Sequence, residues 1–138
     1  MRLPEAARRL GSWLAPCAWM GVILWLSTGD FSADATGGLL VPLFRWLLPW
    51  TTDQDLAWLH GLARKAAHVA VYAILAALWF RAVRRETRLG DGAASWIALG
   101  VALAWAVVDE AHQATLPTRT GSAVDVAIDG AGAVLALL

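Results

Sequence analysis

The sequence contains little charge, since only 16% of its 138 residues are Asp, Glu, Lys or Arg. Hydrophobic residues make up 59%, and the mean hydropathy is +0.56. This balance lies outside that of soluble domains, so the chain is predicted to lie in a membrane. Its length leaves room for a single domain of about four spans, each crossing a hydrocarbon core about 30 Å thick.

The chain also has a single cysteine and no basic face, which argues against a disulfide-linked fold and against nucleic-acid binding. The one cysteine, Cys17, lies in an apolar run, so no disulfide can form within the chain. The formal net charge of +0 says nothing about nucleic acid, because the charges are unevenly distributed along the chain, but no basic face with interleaved aromatic residues is present. Nucleic-acid binding is therefore not expected.

Four apolar segments are predicted to be transmembrane helices. They cover residues 11–27, 62–83, 93–110 and 122–138. The first is interpreted as a span rather than a cleaved signal peptide, because the small-x-small sequence at residues 33–35 lies too far beyond its apolar run. The predicted fold class is an all-α integral membrane four-helix bundle.

A shorter apolar segment, residues 39–50, lies between the first two spans. Pro42, Arg45 and Pro49 interrupt it, and its length is too small to cross a membrane. Tryptophan favours the headgroup level, and Trp46 and Trp50 belong to this segment. We therefore predict that it lies flat on one membrane surface.

The distribution of basic residues predicts the orientation of the chain. If the N-terminus is inside, seven basic residues lie inside and four lie outside. The inner residues are Arg2, Arg8, Arg9, Arg81, Arg84, Arg85 and Arg88, and the outer residues are Arg45, Arg64, Lys65 and Arg119. The positive-inside rule therefore predicts a multi-pass cell-membrane protein with both termini in the cytoplasm. The start of the second span, the end of the third and the start of the fourth then lie at the outer surface.

Polar residues are concentrated at these three predicted helix ends. They comprise Lys65, His68 and Tyr72, then Asp109, Glu110 and Gln113, then Ser122, Asp125 and Asp129. Spacings of three and four place most members of each group on one helix face. At about 1.5 Å of rise per residue, His68 lies about 9 Å and Asp129 about 10 Å below the surface. The three groups are therefore predicted to converge on one site that faces outwards.

The three motifs together resemble those of the VanZ-like family. They read Lys65-Ala-Ala-His68-Val-Ala-Val-Tyr72, Asp109-Glu110-Ala-His-Gln113, and Pro117-Thr-Arg119-Thr-Gly-Ser122-Ala-Val-Asp125, followed by Gly132. The family consists of small integral membrane proteins and is named for an accessory protein of glycopeptide (teicoplanin) resistance. The resemblance implies four spans and a link to the cell envelope or to glycopeptide tolerance. Asp129 stands where the family pattern usually has asparagine, and Ala136 where it has glycine.

The residue types in this site favour two kinds of chemistry. Arg119 offers a phosphate a planar guanidinium with two parallel N–H donors, and Lys65 offers it a compact positive charge. Arg64 is the neighbour of Lys65 in the sequence. His68 next to a carboxylate could act as a general base. The candidate catalytic residues are His68, Asp109, Glu110 and Asp125. The candidate substrate-binding residues are Lys65, Tyr72, Gln113, Arg119, Ser122 and Asp129.

Several alternatives remain open at the level of sequence. The basic residues could simply neutralise the acidic ones, which would make the protein a non-enzymatic membrane factor whose charged residues hold its helices together. Ion transport is disfavoured because no continuous polar path reaches the inner side. The acidic residues could hold a divalent cation, but no dense ligand motif supports this, so no metal or cofactor is predicted. The expected partners are membrane lipids, including a phosphate-bearing envelope lipid, whereas the sequence leaves enzymatic activity and oligomeric state undecided.

Overall fold

The computed structural model describes residues 5–138, with side chains from residue 9 onward, and every regular element in that range is helical. A short 3-10 turn, Gly29–Phe31, follows the first of five α-helices. The helices are α1 Glu5–Leu26, α2 Ala33–Leu47, α3 Asp53–Glu86, α4 Asp91–Gln113 and α5 Ala123–Leu137. The predicted all-α fold class is confirmed. Arg2 and the side chain of Arg8, which entered the count of basic residues, lie outside the described part.

Two of the described helices are long and apolar enough to cross a membrane, namely α3 with 34 residues and α4 with 23. A third span results if α1 and α2 count as one bent pair. Helix α5 has 15 residues and is therefore about 22 Å long, less than the hydrocarbon thickness of about 30 Å. The described chain thus has two or three candidate spans, and the predicted count of four is not confirmed.

Helix α2 occupies the region predicted to lie on the membrane surface. It begins earlier than the predicted segment, because the Ser32 side chain accepts a hydrogen bond of 3.3 Å from the amide of Ala35 and caps the helix. The segment Gly29–Leu47 is bent by 73° from Arg9–Leu26. If α1 follows the membrane normal, α2 therefore lies close to the membrane plane, as an interfacial helix must.

Helix α3 begins with a reciprocal capping box. Thr52 Oγ1 accepts from the Asp55 amide at 3.2 Å, and Asp55 Oδ2 accepts from the Thr52 amide at 3.0 Å. The helix continues through Gly61 without a break. Its 34 residues make it about 51 Å long, so it extends beyond the hydrocarbon at one or both ends.

Two of the basic residues assigned to the inner side, Arg9 and Arg84, form ion pairs at one end of the bundle. Arg9, near the start of α1, lies 3.9 Å from Glu86 at the end of α3, and Arg84 pairs with Asp91 at the start of α4. This end is therefore shared by the start of α1, the end of α3 and the start of α4. The direction in which the bundle crosses the membrane remains a prediction.

Small residues allow the helices to approach closely where the polar motifs lie. A Cβ atom on Gly132 of α5 would lie 2.3 Å from the carbonyl oxygen of Val69 in α3. Helix α4 has a stripe of fully buried alanines four residues apart, which are Ala94, Ala98, Ala102 and Ala106. Close packing through small residues is a common means of associating helices in membranes. It brings the side chains of α3, α4 and α5 within reach of one another.

Candidate functional site

Three buried carboxylates lie together where α4 and α5 meet. Asp109 and Glu110 at the end of α4 are 1% and 6% exposed, and Asp129 in α5 is 0% exposed. We refer to Asp109, Glu110 and Asp129 as the acidic cluster. Carboxylates at this depth require partners, because an uncompensated buried charge is costly in free energy.

Hydrogen bonds connect two members of the acidic cluster to three parts of the chain. Ser27, just after α1, donates its hydroxyl to Asp109 Oδ1. Gln113 Nε2 donates to Asp109 Oδ2 and to Glu110 Oε1, both at 3.2 Å. The backbone amide of Ser122 donates to Glu110 Oε2 at 2.7 Å. This network joins the end of α1, the end of α4 and the start of α5.

Gly121 allows the chain before α5 to pass close to α4. A Cβ atom at this position would lie 2.7 Å from the carbonyl oxygen of Glu110 and 2.9 Å from the Cβ of Ala114. The lack of a side chain therefore permits the approach that places the Ser122 amide on the Glu110 carboxylate. Ser122 also caps α5, since its hydroxyl accepts from the amides of Val124 and Asp125.

His68 in α3 provides the one ion-pair partner of the acidic cluster among the described residues. Its Nδ1 lies 2.9 Å from Asp129 Oδ1. The second oxygen, Asp129 Oδ2, is buried and accepts no hydrogen bond from the described residues. The Tyr72 hydroxyl, one turn beyond His68, lies near Asp109 but makes no hydrogen bond of standard geometry in the same part of the chain. The sequence placed His68 and Asp129 at matching depths, and the structure brings them into contact.

Arg119 lies in the connection between α4 and α5 but does not pair with a carboxylate. Its Nη2 donates to the carbonyl oxygens of Leu26 and Thr28, each at 3.0 Å, and its Nε donates to Thr28 at 3.3 Å. The end of α1 is thereby capped by a guanidinium. Burial and then the neighbouring Arg64 lower the pKa of Arg119, against the opposing effects of Asp109 and Glu110.

Arg64 in α3 is held in the same way, by uncharged oxygens. Its Nη1 donates to the carbonyl of Phe31 at 3.1 Å and to Thr36 Oγ1 at 3.2 Å. Thr36 in turn lies 3.1 Å from His60 Nε2. Within residues 9–138, no acidic side chain forms an ion pair with Arg64 or Arg119. Neither arginine therefore makes a direct ion pair with the acidic cluster, although Asp109 and Glu110 act on Arg119 electrostatically.

A cavity of about 200 Å³ lies between α1, α2, α3 and α4. Both arginines line it, and most of its remaining wall is apolar. It reaches the molecular surface, because its lining residue Ala67 is exposed. The other polar or ionisable residues in its wall are Ser27, Thr36, His68, Tyr72, Asp109 and Gln113. The cavity thus combines two guanidinium groups with a hydrocarbon-like wall.

The structure brings most of the predicted site residues together but not all of them. His68, Tyr72, Asp109, Gln113 and Arg119 line the cavity. Glu110, Ser122 and Asp129 belong to the hydrogen-bonded groups beside it.

Two predicted site residues lie outside this arrangement. Lys65 is exposed and is not among the residues that line the cavity. Asp125 is half-buried and close enough to interact electrostatically with His68 and Glu110, but its carboxylate makes no hydrogen bond within the described range. The proposed binding role of Lys65 and catalytic role of Asp125 remain predictions.

Two polar residues of the cavity wall were not predicted from the sequence, namely Ser27 and Thr36. Ser27 could have been found from its position, because it directly follows the first apolar run on the same predicted side as the other polar motifs. Thr36 has no such signal. Its role depends on the bend between α1 and α2, which carries it back towards α3.

Apolar helices that can cross a membrane, together with a buried acidic cluster and two arginines at one cavity, define a helical membrane protein with an internal polar site. The sequence model of the VanZ/LLP1 family matches residues 12–138, nearly the whole chain. The chain belongs to this family. Comparisons with curated proteins and with solved structures gave no significant match. Asp129 is the most deeply buried carboxylate of the acidic cluster.

Proposed function

We propose that the cavity binds the phosphate-bearing head group of a cell-envelope lipid. The supporting observation is that Arg64 and Arg119 line one cavity while uncharged oxygens hold their side chains. Each guanidinium keeps hydrogen-bond donors available, since Nη2 and Nε of Arg64 and Nη1 of Arg119 make no hydrogen bond among the described residues. A guanidinium fork recognises phosphate oxygens well in both geometry and charge.

The remainder of the cavity favours an amphiphile over a free anion. Apolar side chains such as Ile23, Leu40 and Val71 form most of the wall. A phosphate could lie between the two arginines while an acyl or isoprenoid chain follows the apolar wall. Ligand sites of this kind are mostly apolar with a few placed polar groups. The predicted orientation assigns the site to the outer face of the cell membrane.

The site also contains groups that could transfer a proton. His68 lines the cavity, and its contact with Asp129 would hold the imidazole ring in a fixed orientation. A bound head group would therefore lie close to a histidine oriented by a carboxylate. Binding or modification of an envelope lipid would connect the protein to the cell envelope and, as the family resemblance implies, to glycopeptide tolerance.

Lipid retention tests this proposal. The wild-type protein, purified in mild detergent and washed, is expected to retain phosphate-bearing lipid, which mass spectrometry can quantify. Arg64→Gln should weaken retention by about tenfold or more, because a charge-assisted hydrogen bond contributes about 1.5–3 kcal/mol. Arg119→Lys should also weaken it, because lysine keeps the charge but loses the fork.

Arg45→Gln is the matched control for this experiment. Arg45 lies on the same predicted side, but its partner is the exposed Asp53, at 2.5 Å. Its replacement should leave lipid retention unchanged. Equal retention in wild type and Arg64→Gln, with unchanged thermal melting, would contradict the proposed binding site.

A second candidate is a non-enzymatic membrane factor in which the polar residues serve only to hold the helices together. The network through Ser27, Asp109, Gln113, Glu110 and the Ser122 amide favours it, because this network joins α1, α4 and α5. In this case substitutions in the network should lower stability, while loss of Arg64 should have little effect on any bound lipid. The two candidates therefore differ most at Arg64.

A further inference from the structure

We infer that His68, Glu110 and Asp129 form a binding site for a divalent transition-metal cation such as Zn²⁺ or Mn²⁺. These residues come from α3, α4 and α5. Each offers one nitrogen or oxygen atom as a ligand, and these three atoms lie within 4.8 Å of one another. Ligand atoms around a tetrahedral zinc ion are roughly 3.3 Å apart. Small side-chain rotations would therefore bring the three groups to a common ion.

The ligand types agree with a cation of intermediate hardness. Imidazole nitrogen binds Zn²⁺ and other first-row metals well, whereas carboxylate oxygens also bind Mn²⁺. One nitrogen and two or three oxygens form a mixed set of ligands that favours these ions over Ca²⁺, which prefers oxygen alone. Three protein ligands would leave at least one position of a four-coordinate ion unfilled, and one of these ligands, His68, also lines the adjacent cavity.

The balance of charge provides a separate reason for a cation. Asp109, Glu110 and Asp129 are all buried. In the described chain their one ion-pair partner is His68, which contacts Asp129. Arg64 and Arg119 bind uncharged oxygens, and Arg119 acts on Asp109 and Glu110 without a direct contact. Carboxylates that lie this close in a low dielectric repel one another strongly. A doubly charged cation between Glu110 and Asp129 would remove this repulsion.

An unpartnered ligand atom points to the same place. Asp129 is 0% exposed, yet its Oδ2 accepts no hydrogen bond from the described residues. Unsatisfied buried polar atoms are rare, and a bound ion or water commonly explains them. The Tyr72 hydroxyl, one turn from His68, lies near Asp109 but makes no hydrogen bond of standard geometry among the described residues. A bound ion would give Asp129 Oδ2 the partner that it lacks.

This inference goes beyond the proposed lipid function and does not depend on it. The proposed metal ligands are distinct from the two arginines, although His68 also lines the cavity. If both sites exist, the cation would add a third positive group next to the phosphate. A cation in this position could also polarise a phosphate oxygen as a Lewis acid.

Direct metal titration tests the proposed site. The full chain is purified in detergent, stripped with a chelator, desalted and titrated with ZnCl₂ or MnCl₂, and bound metal is measured by mass spectrometry and calorimetry. Wild type should bind one ion per chain. Asp129→Asn and His68→Gln should each weaken binding by at least about tenfold, because even loss of an outer-shell partner costs about 10- to 100-fold.

Asp34→Asn is the control, since it removes an exposed acidic side chain outside the acidic cluster. It should bind metal as wild type does. Absence of stoichiometric binding by wild type would overturn the inference, as would binding that persists in both Asp129→Asn and His68→Gln. The wild-type titration decides the question even if a variant does not fold.

The same preparations separate this inference from the lipid proposal. Arg64→Gln should lose lipid but keep the metal, because Arg64 is not one of the three ligands. Failure of wild type to bind metal, with lipid retention still dependent on Arg64, would overturn the metal site alone. Stoichiometric metal binding with lipid retention independent of Arg64 would contradict the lipid proposal alone.

Discussion

Replacement of Gly132 by leucine is expected to disrupt the packing of α5 on α3, and even Gly132→Ala should lower the free energy of unfolding by about 3 kcal/mol or more. An added Cβ would lie 2.3 Å from the carbonyl oxygen of Val69 and 2.9 Å from its carbonyl carbon and Cα. These are backbone atoms, so the contact is relieved only if the two helices separate. Thermal unfolding in detergent measures the loss.

Gly100→Ala is the matched control for Gly132→Ala. Gly100 also lies within a helix, but a Cβ atom there would have no neighbour within 4 Å. Alanine should be neutral or stabilise the protein by up to about 1 kcal/mol, because it has the higher helix propensity. Equal melting temperatures for Gly132→Ala and wild type would show that α3 and α5 do not approach each other as closely as described.

The second large effect is expected for Asp109→Ala, which removes the central acceptor of the hydrogen-bond network. Gln113 Nε2 would lose one of its two acceptors, and the Ser27 hydroxyl would keep only the Ile23 carbonyl oxygen at 3.0 Å. We expect the variant to be about 2–4 kcal/mol less stable, because two buried donors each lose an acceptor and the removed side chain leaves a cavity. Asp109→Asn should be milder, since its amide oxygen still accepts.

Asp30→Ala provides the comparison for this substitution. Asp30 is exposed, so its loss should change stability by no more than about 0.5 kcal/mol. A melting temperature of Asp109→Ala equal to or above that of wild type would contradict a structural role for Asp109. It would mean that relief of the buried charge outweighs the lost hydrogen bonds.

The sequence predicts the all-α membrane fold because composition and the length of the apolar runs are local properties. It does not predict the number of spans, which depends on where helices end and bend. Helix α5 has 15 residues, and the chain bends sharply after Leu26. The bend is accompanied by tertiary contacts, namely the hydrogen bonds from Arg119 to the carbonyls of Leu26 and Thr28.

The site was partly predictable for a similar reason. Helical rise alone placed His68 and Asp129 at one depth, and the structure shows them in contact. Helical rise does not determine how α3 is rotated about its axis. Neighbouring residues differ by about 100° around a helix, and this rotation places Arg64 rather than Lys65 at the cavity.

The proposed metal ligands illustrate the same limit. His68, Glu110 and Asp129 are separated by long stretches of sequence and come from three helices. No local ligand motif exists, so the sequence favoured no metal. The convergence depends on the small residues that allow α3, α4 and α5 to pack closely.

The most direct test of the central claim is the distance between lipid phosphorus and the guanidinium nitrogens of Arg64 and Arg119. Solid-state NMR of ¹⁵N-arginine protein in phospholipid bilayers measures it through the loss of ¹⁵N signal caused by nearby ³¹P. Because the chain has ten arginines, the spectrum of wild type is compared with that of an Arg64→Gln, Arg119→Lys double variant. Wild type should show an additional guanidinium signal with phosphorus at about 4 Å. Identical phosphorus-dependent signals in the two proteins, both folded, would contradict a phosphate bound between these arginines.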